Sequence, residues 1–111
     1  MIEVEMKQFL DGHLSVPSYF ERPKDPPKRY VLFEKTGSSK RNYLPESTFA
    51  FQSYAESMYE AAKLNEEVKE AVEDLIILDK ISKIKLNSDY NYTDTEAKSY
   101  RYQAVFDIKH Y

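Results

Sequence analysis

The sequence contains no cysteine and no tryptophan, has only two glycines, and lacks any long hydrophobic run. Without cysteine there is no disulfide, no thiolate nucleophile and no Cys-ligated zinc or iron–sulfur centre. Two glycines are too few for a phosphate-cradling loop between a strand and a helix, so KTGSSKRN is not one despite its Gly, Ser and Lys. The longest unbroken apolar run is Leu75–Leu78, far below the ~20 residues of a membrane-spanning helix. The opening MIEVEMKQFL is acidic and lacks the basic-then-apolar layout of a signal peptide. Synthesis inside the cell, with no membrane association, is therefore expected.

Groups suited to catalysis are also scarce. His13 and His110 are the only histidines, and their separation matches no metal-ligand spacing. Carboxylates are plentiful, but most belong to one helical stretch, and neither an EF-hand loop nor a distinct acid–base pair stands out. The expectation is a non-enzymatic protein with no catalytic residue, no metal and no cofactor.

The chain has 111 residues, of which 41% are hydrophobic and 32% charged. That is enough for one domain with a modest core and too little for two. The net charge of -3 marks neither a general nucleic-acid binder nor a polyanion mimic, but the charges are segregated. Arg22, Lys24, Lys28, Arg29, Lys35, Lys40 and Arg41 face only Asp25 and Glu34 in their stretch. Glu56, Glu60, Glu66, Glu67, Glu70, Glu73, Asp74 and Asp79 then dominate the stretch from Glu56 to Lys80. Two poles of this kind suit head-to-tail association, or simply two solvated faces.

Periodicity gives the elements. Ile2, Met6, Phe9 and Leu10 share one side of a helical period, so a helix over about 2–11, ended by Gly12, is expected. Four of the five prolines follow in SVPSYFERPKDPP, making 14–28 an extended connector. RYVLFEK and TFAFQSY read as two strands of a hairpin over 30–54, joined by a long loop over 36–47. Ser57 and Glu60 form a capping-box pattern at the head of the main helix, 57–76, with an apolar stripe through Met58, Ala61, Leu64, Val68, Val72 and Ile76.

The last part, 81–111, reads as a second hairpin. Ile84, Leu86, Tyr90 and Tyr92 alternate with Lys83, Lys85 and Asn87, and Tyr100, Tyr102, Ala104, Phe106 and Ile108 alternate with polar residues. Residues 1–111 are thus expected to form one α+β domain in α-β-β-α-β-β order. A four-stranded antiparallel sheet would carry the main helix on one face.

The chain has 10 tyrosines against 6 phenylalanines. Tyr90, Tyr92, Tyr100 and Tyr102, with Arg101, could stack nucleobases on an exposed sheet. Simple alternation instead puts them in phase with Ile84, Leu86, Phe106 and Ile108, on the face turned to the helix. Core packing and a subunit interface are therefore favoured, since tyrosine buries area while its hydroxyl keeps a partner at a wet boundary.

The combination of VPSYFERPKDPPKRYVLFEKTG, FAFQSYAESMYEAAKLNEEVKEAV and DLIILDKISKIKLNSDYNYTDTEAKSYRYQAVFDIKHY resembles the small tail-completion, or tail-terminator, proteins of long-tailed bacteriophages and prophages. The likeness spans nearly the whole chain. It includes Ser53, Tyr54, Ala55 and Ser57 before the main helix, and Arg101, Tyr102 and Gln103 in the closing strand. Neighbouring neck proteins of the head–tail junction share much of this layout.

The resemblance implies a non-enzymatic structural protein that forms a hexameric ring at the virion tail–head junction after synthesis in the bacterial host cytoplasm. Its implied partners are further copies of itself, the major tail tube protein and a head connector or stopper protein, with DNA only as passing cargo. On this basis Lys35, Ser38, Ser39, Lys40 and Arg41 are candidates for a lumen or partner-contact loop. Tyr100, Arg101, Tyr102, Gln103, Lys109 and Tyr111 are candidates for a subunit interface. A sheet-surface nucleic-acid-binding protein, or a cytoplasmic regulator using the acidic helix face, are the alternatives from other classes.

Overall fold

The protein is described by a computed structural model covering residues 1–41 and 44–111. In chain order the elements are helix α1 (Ile2–His13), β1 (Ser18–Tyr19), β2 (Tyr30–Arg41), β3 (Leu44–Ala55), helix α2 (Met58–Glu73), a 3-10 turn (Asp74–Ile77), β4 (Ile81–Asn91) and β5 (Tyr100–His110).

One five-stranded sheet runs in the order β1-β2-β3-β5-β4. β1 lies parallel to β2 and the other neighbours are antiparallel. This corrects the four-stranded, all-antiparallel expectation. The added strand comes from the proline-rich connector, where Ser18 and Tyr19 pair with Val31 and Leu32. Pro17 lacks a donor but its carbonyl accepts from the Val31 N–H at 3.0 Å. Asp11 anchors the same point, accepting from the Ser18 hydroxyl at 2.6 Å and from its backbone N–H at 3.2 Å. Burial alone would raise the Asp11 carboxyl pKa, but the bonds from Lys7 and Ser18 outweigh it and hold the carboxyl below its ordinary value.

Both helices contribute to one core with the same sheet face. Ile2, Met6 and Leu10 of α1 and Leu64, Val68, Ala71 and Val72 of α2 meet Val31, Phe33, Phe49, Phe51, Ala104, Phe106 and Ile108. The first helix runs through Gly12 to His13, whose ring stacks on Phe9 and whose Nδ1 lies 2.8 Å from the Phe9 carbonyl. At the head of α2 the Ser57 hydroxyl accepts from the Glu60 N–H at 3.1 Å, as the capping pattern requires. The Glu60 carboxylate instead approaches Arg29, at 3.4 Å. The helix stops at Glu73, and the tighter turn that follows leaves Ile76 and Ile77 exposed rather than in the core.

The stretch expected as a loop over 36–47 is largely strand. The ladder continues from Gly37↔Thr48 to Arg41↔Leu44, after a register shift between Lys35 and Gly37. Asn42 and Tyr43, at the centre of that expected loop, lie outside the described residues. β5 is interior, flanked by β3 and β4. The sheet's unpaired edges are therefore β4 on one side and, on the other, β2 beyond Leu32.

Candidate functional site

The helices occupy one face of the sheet, and the opposite face carries an unusual row of side chains. Its origin lies in β4. Leu86 pairs with Phe106 but Ser88 pairs with the very next residue back, Val105, so an extra residue enters β4 at this point. Such a bulge slips the two-residue alternation by one. Ile84 and Leu86 stand opposite Ile108 and Phe106, on the helix face, whereas Tyr90 stands opposite Gln103 on the other face. Tyr90 and Tyr92 were expected to share the face of Leu86; the bulge turns them away from it.

What takes their place under α2 is polar. Asp89 accepts from Asn65 Nδ2 at 2.7 Å and from Lys69 Nζ at 2.6 Å, and Asn91 reaches Met58 Sδ at 3.3 Å. Bonds from Lys69 to Asp89 and Glu66 hold the Lys69 amine above its ordinary pKa. Asn65 is almost wholly buried, which makes Asp89 its required partner.

The outer row crosses the sheet strand by strand. Tyr19 of β1 meets Tyr30 of β2 edge-on, with centroids 6.1 Å apart, and Tyr30 stacks on Tyr54 of β3 at 4.6 Å. The Arg101 guanidinium of β5 lies 5.6 Å from the Tyr54 ring and 4.6 Å from the Tyr92 ring, both within cation–π range. Tyr90 meets Tyr92 edge-on at 5.9 Å. Arg101 also donates to the Tyr54 hydroxyl at 3.0 Å and to the Tyr92 carbonyl at 2.8 Å.

A hydrogen-bond line runs alongside. The Tyr54 hydroxyl donates to Gln52, Gln52 donates to Gln103, and Gln103 donates to the Tyr90 hydroxyl. Burial pushes the Tyr30 phenol above its ordinary pKa, against the opposing pull of Arg22.

The two halves of this face differ. Over β2 and β3 the connector returns, and Phe20, Glu21 and Arg22 line a groove of about 220 Å³ with Leu32, Ala50 and Gln52. Over β5 and β4 the face is open, with Tyr90 41% and Tyr92 43% exposed. Farther along, a polar groove of about 270 Å³ lies between Lys83, Lys85, Lys109, Glu46 and Asp107. Asp107 accepts from Thr48 at 2.7 Å and from Asn87 at 3.0 Å.

The residues proposed for a subunit interface are divided rather than gathered. Tyr100 and Tyr102 lie opposite Ala55 and Ser53, in phase with Phe106 on the helix face, while Arg101 and Gln103 belong to the outer row. Lys109 reaches the lysine groove and Tyr111 lies exposed past the end of β5, its N–H donating to the Lys80 carbonyl. Of the proposed contact loop, Lys35, Ser38 and Ser39 are strand residues of β2 and exposed, and Lys40 and Arg41 follow them along the same strand.

His110 Nε2 lies 3.1 Å from the Ser47 hydroxyl, but Ser47 is only 1% exposed, so this pair offers no approach to a substrate. No group of three or more His, Asp or Glu placed to hold a metal occurs among the described residues.

Sequence reasoning missed Tyr19, Tyr30, Tyr54 and Gln52 as members of one row, and Lys83 and Lys85 as members of a site. The lysines were legible as the polar phase of β4. The tyrosine row needed the sheet order. No protein-family model matches the chain, and no curated protein matches it.

Proposed function

We propose that the chain is a non-enzymatic assembly subunit of a long-tailed phage or prophage, closing the tail tube and joining it to the head connector as a ring. Its place is the tail–head junction, and its partners are further copies of itself, the tail tube protein and a connector or stopper protein. DNA passes through the ring as cargo.

The supporting observation is the pair of unpaired sheet edges. β2 is 12 residues long, but β1 covers only Val31 and Leu32, leaving the distal strand open. β4 forms the opposite edge along 11 residues. An open edge is a template for another chain. Two different edges on opposite sides of one sheet suit a head-to-tail contact, and such contacts form rings when the rotation closes. The bulges in both edge strands and the lysines on β4 restrain unlimited stacking of sheets, as edge protection does elsewhere.

Sedimentation velocity at micromolar concentration, alone and with a major tail tube protein of a long-tailed phage, is the test. A discrete closed oligomer in either sample supports the proposal. An inert monomer in both overturns it.

A further inference from the structure

The open half of the outer face combines two features that the sequence keeps apart. Tyr90 and Tyr92 present aromatic surface, with Arg101 against the Tyr92 ring. Lys83, Lys85 and Lys109 border the polar groove farther along the same two strands. Four cations stand here against two carboxylates, Glu46 and Asp107. Glu46 lies opposite Lys109 in the ladder, and Asp107 is held by Thr48 and Asn87. Among the described residues, none of the three lysines forms an ion pair. The face is thus positive on a chain whose net charge is -3.

We propose that this β4–β5 surface binds single-stranded nucleic acid, its bases stacking on Tyr90 and Tyr92 and its phosphates running to Lys83, Lys85 and Lys109. Aromatic rings supply sequence-tolerant stacking, and a basic groove tracks the backbone. A single strand is favoured over a duplex because only its bases are free to leave their own stack. From Tyr92 to Lys83 the strand runs ~30 Å at about 3.3 Å per residue, a length that accommodates several extended nucleotides. The inference goes beyond the ring assignment and stands without it, because it needs only one copy of the chain.

The test is fluorescence anisotropy of labelled oligodeoxythymidine and oligouridine, about 20 nucleotides long, titrated with the full chain at about 50 and 200 mM salt. If three phosphates are neutralised, affinity falls about 20-fold between these salts. Lys83→Gln with Lys85→Gln flattens that dependence. Tyr90→Leu with Tyr92→Leu weakens binding at least ~5-fold at both salts and leaves the slope unchanged. Lys63→Gln, on α2, changes neither.

Preference between the two oligomers assigns DNA or RNA. Circular dichroism melting verifies that each variant is folded, and Tyr92→Phe, which keeps the ring, retains binding. Absence of binding at low salt overturns the proposal, as does binding indifferent to both paired variants or equal competition by duplex. Loss of self-association in the face variants, with no oligonucleotide bound by the parent, assigns the surface to a second copy instead.

Discussion

Replacing Phe106 with alanine tests the interior position of β5. Phe106 has no exposed surface, lies opposite Phe49 on β3 and Leu86 on β4, and meets Phe51 edge-on at 5.9 Å. Truncation removes the ring's transfer free energy and leaves a cavity that side chains on two flanking strands fill only in part. The expected cost is about 3–5 kcal/mol. Unfolding entropy near the midpoint is about 2.1 cal/mol/K per residue, so for this chain each kcal/mol lowers Tm by about 4 °C. A fall of about 12–20 °C follows.

The matched control is Leu86→Ala, which changes the residue paired with Phe106 on the same face. Leu86 belongs to the edge strand and is 40% exposed, so its truncation costs only about 1 kcal/mol. Thermal unfolding by circular dichroism gives the two shifts, and urea unfolding at constant m confirms that they reflect the native state. If Phe106→Ala costs no more than Leu86→Ala, β5 is not interior and the sheet order is wrong.

Ser57→Ala removes the side-chain cap at the head of α2 and lowers stability by about 1 kcal/mol in urea titration, whereas Ser57→Asp retains it. Asp89→Ala strips the buried Asn65 amide of its acceptor, and a loss of about 1–3 kcal/mol is expected from equilibrium unfolding. Hydrogen bonds from the Arg29 side chain, aided by the backbone N–H of Glu56 itself, hold the Glu56 carboxyl down to about 2. Its stabilising contribution is therefore present above the ordinary carboxylate value of 4.5 and is lost as pH falls from there through about 2. Glu56→Gln should flatten the stability–pH curve in that window and leave its slope between pH 6 and 8 unchanged.

The elements most legible in the sequence were those with many residues repeating one period. Met58 to Val72 carries a helical stripe with a hydroxyl cap, and both the helix and its Ser57–Glu60 bond are present in the structure. Phe49 and Phe51, like Phe106 and Ile108, alternate cleanly and lie in the core. β1 was not legible, because two residues cannot display a period and their pairing depends on Asp11 and Val31 elsewhere in the chain. The distal ribbon was missed for a different reason. Gly, Ser and Lys have weak strand preference, so TGSSKR resembles a loop until β3 is laid beside it.

The bulge had the largest effect on the candidate site. One extra residue after Leu86 leaves composition and length unchanged, yet it exchanges the faces of everything that follows in β4. No alternation rule contains that information, since a strand with one slip looks like two shorter strands in opposite phase. Asp89 was the available clue. On simple alternation it would share the phase of Lys85, but the helix offers Lys69 and the buried Asn65, which need an acceptor beneath them. Satisfying those partners turns Asp89 inward and Tyr90 outward together.

The same geometry reconciles the two roles assigned to β4. Lys83 and Lys85 guard an edge whose backbone groups point sideways, within the plane of the sheet, toward any approaching strand. Their side chains stand on the outer face, roughly perpendicular to that plane, beside Lys109. Pairing of a neighbouring subunit at the edge and binding of a polyanion on the face therefore use different directions from the same residues. Under these two proposals they would be coupled through charge rather than through steric exclusion. Phosphates on the face would neutralise the lysines that keep another sheet edge away, so bound nucleic acid should make β4 a better partner for β2 of the next copy.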